Sequence, residues 1–132
     1  MLKGIAASSG IAIAKVYKLE QPVLNIEKKT CESAQEIAKF QAALAKTRED
    51  IEAVKVRAEG KLSEEELAIF DAHLMMANDP ELSGQIEEMI NSESCNAEYA
   101  TEQVANMMIS MFESMDNDYF KERAADVKDV TF

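Results

Sequence analysis

The chain has 132 residues, enough for one domain with a real core and no need of staples. Its 25 acidic side chains against 14 Lys and Arg leave a net charge of −11, which makes DNA or RNA a poor partner because phosphate contacts need clustered cations. That charge suits a basic protein partner, or serves solubility. Two cysteines, Cys31 and Cys95, show neither metal-ligand spacing nor a disulfide framework, so a reducing cytoplasm is expected. No apolar run has the length to span a bilayer, and no membrane insertion is expected.

In chain order, the first twenty residues stand apart. Ile11, Ile13 and the stretch Val16 to Leu19 are strand-like, with a tight turn allowed around Gly10. A lone strand leaves its edges open, so this piece expects a sheet that the chain scarcely supplies. Residues 21–29 read as a linker, with Pro22 excluding a central strand. From residue 30 to 132 the pattern is helical.

Ser33 with Glu36 fits a capping box, and Thr30 is a rival start. Ile37, Phe40, Leu44, Thr47, Ile51, Val54 and Ala58 follow at spacings of three and four, a bundle seam that Gly60 should end as the C′ residue. Ser63 and Glu66 form a second capping box. Asp79 and Pro80 end that second helix and begin a third, roughly Glu81 to Asn91, which buries Leu82, Ile86, Met89 and Ile90. A fourth starts near Asn96 and runs through Tyr99, Val104, Met107, Met108, Met111, Phe112 and Met115. Asp116, Asn117 and Asp118 interrupt it before YFKERAADVKDV resumes a helical pattern. The expected fold is mainly α: a bundle of about four helices, orthogonal or up-down, preceded by a short N-terminal strand. Val127 and Val130 are still in helical phase where the chain stops, which reads as a cut.

The second helix carries the only histidine, His73, in the run AIFDAHLMMANDPEL. Leu67, Phe70, Leu74 and Ala77 form one apolar stripe and Ile69, Ala72, Met75 and Met76 a second. A helix apolar nearly all round is either central in a core or half of an interface. With the first stripe turned inward, Phe70, Leu74, Ile86, Ile37 and Leu44 are expected in the core, and Met75 and Met76 on the surface. Glu64, Glu65 and Glu66 point in three directions and cannot converge on one ion. His73 and Asp71 lie on different faces, so no local dyad forms. Ser8 and Ser9 beside Gly10 lack the lysine of a phosphate loop, and Lys121 to Arg123 reads as a surface network with Asp118 and Asp126. No complete active site is visible.

Three stretches together, GIAASSGIAIAK (Gly4 to Lys15), AIFDAHLMMANDPEL (Ala68 to Leu82) and KERAADVKDV (Lys121 to Val130), resemble the N-terminal part of enzyme I of the bacterial phosphotransferase system, the phosphoenolpyruvate–protein phosphotransferases. The resemblance implies that residues 1–20 belong to an incomplete α/β phosphohistidine subdomain. It implies further that the helices dock a small histidine-containing phosphocarrier protein. In that family phosphoenolpyruvate phosphorylates a histidine in a GGxTSH-type motif, and the phosphoryl group passes to the phosphocarrier for sugar uptake. No such motif stands in this sequence, so no catalytic residue is assigned and His73 is not the phosphoryl acceptor. The magnesium site and the homodimer contact of a full-length parent would lie in its C-terminal domain, and no cofactor is expected here. By position, the docking surface would use Glu64, Glu65, Asp71, His73, Met75, Met76, Asp79 and Glu81, with Phe112, Phe120 and Arg123 from later helices. Nitrogen-regulatory and multiphosphoryl-fusion paralogues share these motifs. The rival from another class is a non-catalytic helical adaptor that oligomerises through its apolar helix, which would not need the strand-like first twenty residues.

Overall fold

The structure, a computed structural model, describes residues 4–5, 9–18, 20 and 23–132. Five helices follow in order among them: α1 (Ser33–Ala58), α2 (Glu64–Ala77), α3 (Pro80–Glu93), α4 (Ala97–Ser114) and α5 (Asp118–Thr131). The fifth arises at the predicted interruption, where the Asn117 carboxamide oxygen accepts from the Tyr119 amide at 2.9 Å and starts a separate helix. Other boundaries follow local chemistry. Ser63 and Glu66 cap α2 reciprocally. Gly60 takes a positive φ of 75° just past α1, a conformation that costs glycine nothing. Asp79 caps α3 through the Glu81 amide at 2.8 Å, with Pro80 at the first position.

The start of α1 departs from expectation. Its N-cap is Glu32, with no side-chain cap bond, because Ser33 and Glu36 serve other helices. The Ser33 hydroxyl donates to the Ile90 carbonyl at 3.2 Å, and the Glu36 carboxylate accepts the Ala97 amide at 2.7 Å. Asn96, the N-cap of α4, makes no cap bond with its side chain; Glu36 supplies the negative charge that a helix N-terminus favours. Next to it, Cys31 donates its amide to the Ser94 carbonyl at 2.8 Å and Asn96 to the Lys29 carbonyl at 3.2 Å. Thr30 and Cys95 thereby form an isolated antiparallel bridge. Buried Asn96 is satisfied by the Lys29 amide at 2.8 Å and by Glu98. Lys39 ion-pairs with both Glu36 and Glu98.

The core is centred on α3, α4 and α5 and is built from Leu82, Ile86, Ile90, Ala100, Val104, Ala105, Met108, Ile109, Ala124 and Val127, with Phe40 from α1 and Met76 from α2. Alanines on α4 and α5 let those helices approach closely, and α4 against α5 is the most extensive contact. Ile37 and Leu44 of the α1 seam are partly buried against this core. The end of the seam, at Val54, is exposed. α2 is packed between α1 and α5.

The expected N-terminal strand does not form among the described residues. Residues 11–18 adopt no regular element, and Ile11, Ile13, Val16 and Tyr17 are exposed. Strand propensity needs a partner to be realised, and none of the described segments offers one. Leu19 and Pro22 lie outside the described residues, as does Ser8.

Candidate functional site

α2 is positioned by its cap, by α1 and by α5. Arg48 of α1 reaches the last turn of α2, donating Nε and Nη2 to the Ala77 carbonyl at 3.0 and 2.8 Å. Lys55 pairs with exposed Asp71. These contacts fix which side of α2 faces solvent. Ile69 and Met75 are exposed, Met75 to 69%, and Ala72 is half-buried beside them. Glu64 and Glu65 stand exposed in the first turn, where they match the helix dipole.

The placement of Met76 is a correction. It is 8% exposed and joins the core, lining a cavity of about 170 Å³ with Phe40, Leu44, Leu82, Ile86 and Val130. Phe70 and Leu74, expected in the core, are only half-buried and stand outside the core cluster. The reason is geometric. A helix wedged between two neighbours buries the sector between them, so neither apolar stripe is wholly inside. Met76 falls in the buried sector, Met75 on the free one.

The remaining predicted residues divide between structure and surface. Asp79 is half-buried and holds the N-terminus of α3. Glu81 is exposed and accepts from Gln85 Nε2 at 3.3 Å. At the α4–α5 corner, Phe112 and Phe120 stack with centroids 6.0 Å apart and planes at 21°. Tyr119 meets Phe120 edge-on at 5.4 Å, and the Arg123 guanidinium lies 5.1 Å from the Tyr119 ring centroid. Arg123 pairs with Asp126 at 3.4 Å, and Lys121 with Asp118 at 3.5 Å, the surface network expected from spacing.

Folding joins two of these groups through a residue that the sequence did not mark as functional. His73 has no partner on its own helix; its Nε2 faces Asp126 of α5 at 3.5 Å and Asp129 at 3.8 Å. Asp126 thus connects the α2 face to the Arg123 corner. No periodicity within α2 or α5 could reveal a contact spanning 53 residues of chain; only the i,i+3 spacing of Arg123 and Asp126 was available as a signal. Tyr119 and Met111 are both exposed.

Among the described residues no group of three or more His, Cys, Asp or Glu is arranged to hold a metal ion, and the cavity is lined by a single titratable side chain, Asp79. No helix there is long and apolar enough to cross a membrane.

What fold and surface define is a helical domain that presents a mixed apolar and acidic face. Residues 3–123 match the sequence profile of the family described as PEP-utilising enzyme, N-terminal, and the chain belongs to that family. It is 56% identical to a phosphoenolpyruvate-protein phosphotransferase of Geobacillus stearothermophilus over 131 residues, and 49% identical to one of Bacillus subtilis (strain 168) over the same length. Each alignment covers 98% of this chain and 23% of the relative. The chain therefore spans about a quarter of the length of these relatives. A solution structure of Enzyme I (nEIt) superposes with a TM-score of 0.76 at 40% identity, covering 83% of this chain and 46% of that one.

Proposed function

We propose that this chain is the phosphocarrier-docking region of a phosphoenolpyruvate–protein phosphotransferase. The observation that carries the reading is the free face of α2. Met75 and Ile69 stand in solvent there beside exposed Glu64, Glu65 and Asp71. An apolar centre with an acidic rim fits a partner that is apolar at its contact and basic around it. Asp79, Glu81, His73, Phe112, Phe120 and Arg123 complete the proposed surface, and Met76 supports it from beneath. The parent reaction passes a phosphoryl group from phosphoenolpyruvate through a histidine to the phosphocarrier, serving sugar uptake in the cytoplasm. The magnesium and dimer contact of such a parent are assigned outside this sequence.

Two measurements test this. Calorimetric titration with a histidine-containing phosphocarrier protein should give one-to-one binding, weakened by Met75→Ala and by charge reversal at Glu65. Incubation with radiolabelled phosphoenolpyruvate should leave the chain unlabelled. Label on His73, or self-association through the Met75 face in place of phosphocarrier binding, would overturn the proposal; the second result would favour the oligomerising adaptor.

A further inference from the structure

The single histidine occupies a position that its own helix does not explain. His73 Nε2 is buried and lacks a hydrogen-bond partner, a costly state for a polar atom. Two carboxylates of α5 stand just beyond bonding reach, Asp126 Oδ1 at 3.5 Å and Asp129 Oδ2 at 3.8 Å. The other oxygen of Asp126, Oδ2, lies 3.4 Å from Arg123 Nη1. One carboxylate therefore faces an imidazole on one side and a guanidinium on the other. The His73 and Asp126 side chains are 15% and 19% exposed, so solvent screens them less than an ordinary surface pair.

The charged groups that face His73 come from α5, one of the two helices packed on α2. They are Asp126 and Asp129, with Arg123 behind Asp126. α1, the other helix packed on α2, reaches it through Lys55, engaged by Asp71, and Arg48, engaged by the Ala77 carbonyl. Neither α1 cation pairs with the α5 carboxylates. Imidazole is the side chain whose ordinary titration falls near neutral pH. With His73 neutral, Asp126 is balanced by Arg123 alone. With a proton on Nε2, the imidazolium becomes a charged donor to both α5 carboxylates, and Asp126 divides its charge between two cations.

We propose that Asp126 is a positioning residue that restrains Arg123 on α5, and that a proton on His73, by sharing the Asp126 carboxylate, loosens that restraint and leaves the Arg123 charge less masked on the docking face. The inference rests on the docking function proposed above. A proton adds positive charge to the face and unmasks a second cation, and both changes oppose a basic partner. Association therefore weakens when His73 takes up a proton.

The test has two arms. His73 is the only histidine, so its imidazole signals in NMR are unambiguous. In the wild-type chain the Arg123 Nε–H resonance should move with the same midpoint as His73, and Asp126→Asn should abolish that movement. In the second arm, affinity for a histidine-containing phosphocarrier protein should fall at least threefold on the acid side of the midpoint. Asp126→Asn should bind more weakly than wild type at high pH and keep only the part of the pH response due to the imidazolium's own charge, Asp126→Glu should restore the full response, and His73→Gln should flatten it. An Arg123 signal indifferent to His73 overturns the inference, as does an affinity whose pH response is undiminished in Asp126→Asn. Coupled titration with no binding at any pH would instead overturn the docking function.

Discussion

Two adjacent methionines show how finely a residue's role is set. Met75 and Met76 differ by 100° around one helix, and that rotation separates 69% exposure from 8%. Met76 fills space beside a cavity already about 170 Å³ in volume, so truncation leaves a larger void without partner atoms. Met76→Ala should cost about 2–5 kcal/mol of stability, read as a drop in the urea midpoint. Met75→Ala should leave that midpoint nearly unchanged and raise the dissociation rate of the partner instead, as loss of an apolar centre does. Equal effects of the two truncations on stability would remove the distinction on which the docking face depends.

At the level of elements, helix starts in this chain are satisfied in two ways. α2 is self-capped. The Ser63 amide donates to Glu66 Oε2 at 2.8 Å, and the Glu66 amide donates to the Ser63 hydroxyl at 3.3 Å. These Ser63 bonds, the backbone one first, hold the Glu66 carboxyl below its ordinary range. A folded value below the unfolded one means that the bonds stabilise the native state above the unfolded titration. That support is lost as pH falls through the folded value. Ser63→Ala should cost about 1 kcal/mol, and Glu66→Gln should make the acid limb of thermal stability slightly shallower below about pH 4.3, both measured by circular dichroism melts. α4 is capped in trans by Glu36, and Ser33 is tied to the end of α3. The Ser-x-x-Glu spacing in α1 looks the same as in α2 but does different work, because the α3–α4 turn lies against it.

For the whole molecule, stability and charge are unevenly distributed. The buried side chains concentrate on α3, α4 and α5, whereas residues 11–18 are exposed and in no regular element. Amide exchange should therefore be slowest across Ile86 to Ile90 and Val104 to Ile109, and fast from Ile11 to Lys18. Strong protection of that apolar segment in a monomer would contradict the arrangement. A net charge of −11 with an acidic rim on α2 should speed encounter with a basic partner. Screening over about 8–10 Å should blunt that steering. Stopped-flow association should slow as salt rises while dissociation barely changes. An on-rate indifferent to salt would mean that the charge serves solubility alone.

Periodicity and capping residues by themselves determined that the chain is helical, where α2 and α3 begin, and that α2 is apolar nearly all round, because these are local properties of spacing and hydrogen bonding. The family was likewise legible, from three motifs in order. Tertiary structure decided the rest. It chose which sector of α2 is buried, since α1 and α5 both press on it. It turned the apparent cap of α1 into a clasp on α3 and α4. It brought His73 to Asp126, because a contact between helices 53 residues apart is a matter of packing, which no single helix encodes.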